Sequence, residues 1–104
     1  MILHINTADL KKIVFTLTKA RKVISQCTHE MPPHSTHTTL KLLETFLKQQ
    51  GWSASKKPAE ITSIQLFKKE GSPTGLRLGS AIAQGLSMAW GVPVQLTDTL
   101  YSHT

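Results

Sequence analysis

The sequence predicts an α/β domain with a mixed sheet and the element order β-β-β-α-β-α-β. Three observations carry that reading. Before residue 30 the chain holds three short runs rich in β-branched and aromatic residues. Two later stretches carry apolar residues at helical spacing, and each ends at a glycine. Between and after those stretches, two further short apolar runs read as strands. At 104 residues the chain supports one domain, large enough for a modest core.

Ile2-Leu3-His4-Ile5-Asn6 is a short buried strand, and Ala8-Asp9-Leu10 turns the chain. In 12–18, Ile13, Phe15 and Leu17 alternate with more polar residues, the period of a half-buried strand. Lys19-Ala20 connects it to a third strand over 21–27. That connection lacks the Asn-Gly signal of a tight hairpin, so the pairing register is left open. The polar segment 29–39, with Pro32-Pro33, reads as a loop into a helix capped by Ser35 or Thr36. The helix runs to about Gln50, with Leu40, Leu43, Phe46 and Leu47 on one side. Leu42 widens the stripe. Gly51 suits a left-handed stop, and Trp52 is placed to fold back onto the last turn.

After a loop at 53–60, Ile61–Phe67 reads as an inner strand. Thr74–Trp90 forms the second helix, Gly91 ends it, and Pro93-Val94-Gln95-Leu96 opens the last strand. The second helix is unusual for its small residues. Gly75, Gly79 and Ala83 recur every fourth position, as do Ala81, Gly85 and Ala89. A glycine inside a helix costs about 1 kcal/mol against alanine. Several of them call for close packing of another backbone.

Lysine and arginine number 12 against 6 acidic residues, a formal net charge of +6. Along the sequence these cations are scattered, and no helix carries a solid basic stripe. A solvated basic surface therefore outweighs a dedicated nucleic-acid site. Cys27 is the only cysteine; it cannot form an internal disulfide and reads as a half-buried strand residue, which fits a cytoplasmic location. No apolar run spans a bilayer, and the N-terminus lacks the pattern of a signal peptide.

A family resemblance rests on particular residues. Ser72, Thr74-Gly75-Leu76-Arg77, Gly79, Ala83-Gln84-Gly85-Leu86 and Gly91-Val92-Pro93-Val94 resemble the Gly-Ser-Phe-Thr-Gly-Leu-Arg signature and following helix of the TsaB (YeaZ) family. Ile2-Leu3-His4-Ile5-Asn6-Thr7 is similar to that family's opening strand, usually Ile-Leu-Ala-Ile-Asp-Thr. His34-Ser35, with Leu40, Leu42 and Leu43, is similar to the start of its first helix. The predicted element order is that of a half-domain of the actin-like, Hsp70-like ATPase fold (the ribonuclease H-like core), and the resemblance implies the same. TsaB-like proteins have two such halves, so the chain is expected to correspond to the N-terminal lobe alone.

The resemblance implies a non-catalytic subunit. TsaB-like proteins pair with TsaD, which transfers threonylcarbamoyl to adenosine 37 of tRNA. They pair through the helices of the first lobe, with themselves or with TsaD. The implied partners are a TsaD-like protein or a second copy, with tRNA met only indirectly and no membrane. The alternative is a stand-alone basic RNA-binding module; a residual nucleotide-binding enzyme is a third option.

Other constellations are weak. Asn6 stands where two-lobed ATPases place an Asp, and an amide brings no charge to a hard cation. Lys69-Glu70 and Pro73 replace the family's Gly-Pro and Phe around Gly71-Ser72. The sequence is not a Walker motif. His34 and His37 lie three apart, with no nearby ligand to complete a metal site. Ser72 and Thr74 have no local base, and His4, His29 and His103 look incidental. We therefore expect no catalytic residue, no cofactor and no metal. The expected docking face comprises His37, Leu42 and Phe46 of the first helix with Leu76, Arg77, Ser80, Ala81, Gln84 and Met88 of the second. Leu78, Ile82, Leu86 and Ala89 are left to cover the sheet, with Leu40, Leu43 and Leu47 of the first helix.

Overall fold

The computed structural model describes residues 1–7, 12–30, 36–53, 58–67 and 73–97, with the side chains of 36–38 and 73–76 excluded. The predicted turn at Ala8–Leu10, the Ser35 cap, His34 and the Lys69–Ser72 loop lie outside these residues. The elements are β1 (Ile2–Asn6), β2 (Lys12–Lys19), β3 (Lys22–Glu30), α1 (Thr36–Gln49), β4 (Ser63–Phe67), α2 (Pro73–Trp90) and β5 (Val94–Thr97). This is the predicted β-β-β-α-β-α-β order. β3 runs three residues further than expected, to Glu30, because His29 and Glu30 still pair with Ile13 and Lys12.

One five-stranded sheet has the order β3-β2-β1-β4-β5. The first three strands form an antiparallel meander. β4 and β5 then add in parallel, each reached through a helical crossover, as parallel neighbours require. The sheet is therefore mixed, and β4 is an inner strand as expected. The β2–β3 hairpin closes on Ala20 and Arg21, with Lys19 directly opposite Lys22. Both turn residues have positive φ, 52° and 66°. That is the demand of a type I′ turn, met here without asparagine or glycine. A bulge between Leu17 and Thr18 sets Ile24 out of register.

Registers place Leu3, Ile5, Phe15, Leu17, Ile64 and Leu66 on one sheet face. Both helices cover that face. Phe46 of α1 stacks on Phe15, ring centroids 6.1 Å apart at 28°. Leu43 and Leu47 join it in the core. From α2 come Ile82, Ala83, Leu86 and Trp90. Gly79 lies where an added Cβ would collide with Thr7 Oγ1 and sit 2.8 Å from Leu66 Cδ1. The glycine at 79 thus has an internal reason: α2 rides directly on the end of β1 and on β4.

Three packing expectations are corrected. Leu40, expected in the core, is 43% exposed. Ala89, expected on the sheet, is exposed, and its neighbour Trp90 is buried instead. Phe46, expected on the free face, is 1% exposed. In each case the helix turns its bulkiest ring toward the sheet, where the largest apolar area can be removed from water.

The helix ends follow the sequence. Gly51 has φ +78°. Its N–H donates to the Lys48 carbonyl and that of Trp52 to the Leu47 carbonyl, both at 2.9 Å. This pair of bonds is the Schellman motif, and half-buried Trp52 packs on the core as expected. Gly91, φ +67°, closes α2 with a single N–H bond to the Ser87 carbonyl. The Ser87 hydroxyl then donates to the Val92 carbonyl, tying the helix end to the approach of β5.

Candidate docking face

α2 turns 100° per residue, so Gly79, Ile82, Ala83, Leu86 and Trp90 mark its inner side. The outer side then carries Arg77, Ala81, Gln84 and Met88, all exposed. Met88 is 86% exposed, more than the other exposed large apolar side chains among the described residues, Ile24, Leu40 and Leu96. Gly85 lies beside them, with nothing within 4 Å of an added Cβ. The two described helical glycines therefore differ. Gly79 is required by the fold; among the described residues no packing contact gives a reason for Gly85.

Of the residues expected to form the docking face, the fold gathers Arg77, Ala81, Gln84 and Met88 on one exposed surface, with Ser80 half-buried at its flank. α1 contributes less than expected. Leu42 is half-buried against the core, and Phe46 is withdrawn from the surface altogether. The side chains of His37 and Leu76 lie outside the described residues. The outer side of α1 is instead polar: Lys41, Glu44, Thr45 and Lys48 are exposed. The result is a small-residue helix face with one protruding methionine, flanked by a mostly basic helix.

At the end of β1, Asn6 and Thr7 are the described residues. Thr7 is 2% exposed and wedged against Gly79. Half-buried Asn6 has its own interaction. Among the described residues, no group of three His, Cys, Asp or Glu side chains converges to hold a metal ion. Cys27 is half-buried beside the core, and burial raises its thiol pKa. No described helix is long and apolar enough to cross a membrane.

His4 looked incidental in the sequence and is not. Strand alternation puts it on the sheet face opposite the helices, where it is buried. Its Nε2 lies 2.8 Å from Thr18 Oγ1. Beside it, Gln26 donates to Thr16 Oγ1 at 2.9 Å. Burial lowers the His4 pKa from 6.5 to about 4, so the ring is neutral at pH 7. The signal was its position between Leu3 and Ile5, which face the core.

Comparison with solved structures agrees with this architecture. YeaZ from Pseudomonas aeruginosa superposes with a TM-score of 0.74 at 20% identity, over 92% of this chain and 42% of that one. A crystal structure described as an uncharacterized protein with similarity to peptidase YeaZ, from the same organism, gives 0.73 at 20% identity over the same shares. The chain therefore spans less than half the length of these structures. No family model matches the sequence, and no curated protein does. At this identity the likeness establishes the fold: an α/β half-domain of the ribonuclease H-like, actin-like type, similar to part of YeaZ.

Proposed function

We propose that the chain is a non-catalytic scaffold or dimerisation subunit of the TsaB type, supporting TsaD-type threonylcarbamoyl transfer to adenosine 37 of tRNA. The observation that carries the reading is the coincidence of a YeaZ-like fold over 92% of the chain with an exposed α2 face that the fold itself does not use. Arg77, Ala81, Gln84 and Met88 are the contact residues of this reading, with Ser80 at the flank. Their chemistry suits docking. Alanine and glycine let a second helix approach closely, while Met88 adapts its shape to a partner surface.

The test is co-purification with a TsaD-like protein of the same organism, alongside sedimentation of the chain alone. The native chain captures the partner. Met88→Glu and Ala81→Glu each place a carboxylate at the centre of the contact and abolish capture. Capture that survives both substitutions refutes the assignment of this face.

A further inference from the structure

Lys19, Arg21 and Lys22 are close in sequence, and the hairpin sets them around one exposed tip. Lys19 and Lys22 stand directly opposite each other at the end of the β2–β3 hairpin. Arg21 lies between them in the turn, and all three are exposed. Like charges directly opposite on neighbouring strands destabilise the pair. The turn adds a second local cost, because Ala20 and Arg21 both hold positive φ, which side chains disfavour. β2 and β3 offer a single carboxylate, Glu30, at the far end of the hairpin. The Gln50 side chain donates to Ser25 Oγ at 3.1 Å and binds the end of α1 to the same strand. That contact brings exposed Lys48, in the last turn of α1, to this end of the molecule. The N-terminal ammonium is there too, donating to the Glu60 carbonyl.

We propose that the β2–β3 hairpin tip is a contact site for the phosphate backbone of RNA, engaged by Lys19, Arg21 and Lys22. Two unfavourable local features at one tip mark a place where another requirement overrides foldability. A phosphate chain relieves the repulsion by placing negative charge between the cations, and it releases counterions on binding. Three side chains splayed around a turn suit successive phosphates along a strand. The only apolar residue among Lys19, Ala20, Arg21 and Lys22 is Ala20, and the nearest exposed large apolar side chain is Ile24 on β3. The site stands apart from the α2 face and does not rest on its role.

The test measures binding of the native chain to a fluorescein-labelled 20-nucleotide oligouridylate across a salt series. The comparison is with Lys19→Gln/Arg21→Gln/Lys22→Gln and with a control of equal charge change, Lys11→Gln/Lys12→Gln/Lys41→Gln. Each phosphate contact contributes about 0.7 to the slope of log K against log salt. Three lost contacts lower that slope by about 2 and weaken binding about a hundredfold at 0.1 M salt. The hairpin variant also folds with an unchanged or raised Tm, since it relieves the repulsion. Three results overturn the proposal. One is an equal loss in the control, which makes the effect one of net charge. Another is binding by the hairpin variant at native strength. The third is hairpin-dependent binding to phosphatidylserine vesicles with none to the oligonucleotide.

Discussion

Substituting alanine at the two described helical glycines has opposite consequences, and the difference can be worked out from the packing. In both positions alanine gains about 1 kcal/mol of helix propensity. At Gly85 the new methyl meets nothing within 4 Å, so that gain stands. At Gly79 the methyl lands on Thr7 Oγ1 and 2.8 Å from Leu66 Cδ1. Thr7 is 2% exposed and Leu66 4% exposed, so neither has open space to retreat into. Overpacking of this kind costs about 1–3 kcal/mol. Gly79→Ala is therefore destabilised by up to about 2 kcal/mol after the propensity gain, and Gly85→Ala is stabilised by up to about 1 kcal/mol. For a domain of this size each kcal/mol moves Tm by about 4 °C or more. The two variants therefore differ by about 1–3 kcal/mol, or about 4–12 °C, in thermal melts followed by far-UV circular dichroism. Thr7→Ala, which removes the Oγ1 that the new methyl meets, recovers part of the loss in the Gly79→Ala background if the Thr7 contact is its source, as a double-mutant cycle reports. Equal Tm shifts for the two alanines, or stabilisation by Gly79→Ala, would refute the claim that α2 is seated through Gly79.

Two further substitutions probe the core and the opposite sheet face. Phe46→Ala removes the ring stacked on Phe15 and costs about 3–5 kcal/mol in urea denaturation; a loss under 1 kcal/mol would return Phe46 to the surface. His4 has a folded pKa of about 4, below its ordinary 6.5. The unfolded chain therefore takes up a proton first as pH falls. Stability contributed by the neutral ring is complete above pH 6.5 and drains between 6.5 and 4, by about 3 kcal/mol at 1.36 kcal/mol per unit. His4→Gln flattens this part of the urea-midpoint profile, and an unchanged slope would show that His4 does not titrate there.

Much of the fold was legible because its signals are local. Period-two alternation around Ile13, Phe15 and Leu17 marked β2, and Gly51 and Gly91 marked both helix ends through their left-handed φ. What escaped depends on contacts distant in sequence. The apolar stripe of α1 is wide enough for several rotations, and only the Phe15 ring across the core selects the one that buries Phe46 and exposes Leu40. The Ala20-Arg21 turn has no sequence signature, because neither residue favours positive φ. Without its register the facing of Lys19 and Lys22 cannot be seen. The exposure of Arg77, Ala81, Gln84 and Met88 on α2 follows from helical spacing, a local pattern. Gly79 and Gly85 of α2 could be told apart only by finding what lies next to each.

Sedimentation and partner capture of Met88→Glu, set beside its thermal melt, bear most directly on the docking role. Met88 is 86% exposed, so the substitution leaves Tm within the range of an ordinary surface change, about 0.5 kcal/mol in stability. A docking helix gives an unchanged melt together with loss of the complex formed by the native chain. An unchanged melt with an intact complex would place the contact elsewhere on the molecule and contradict the role assigned to α2.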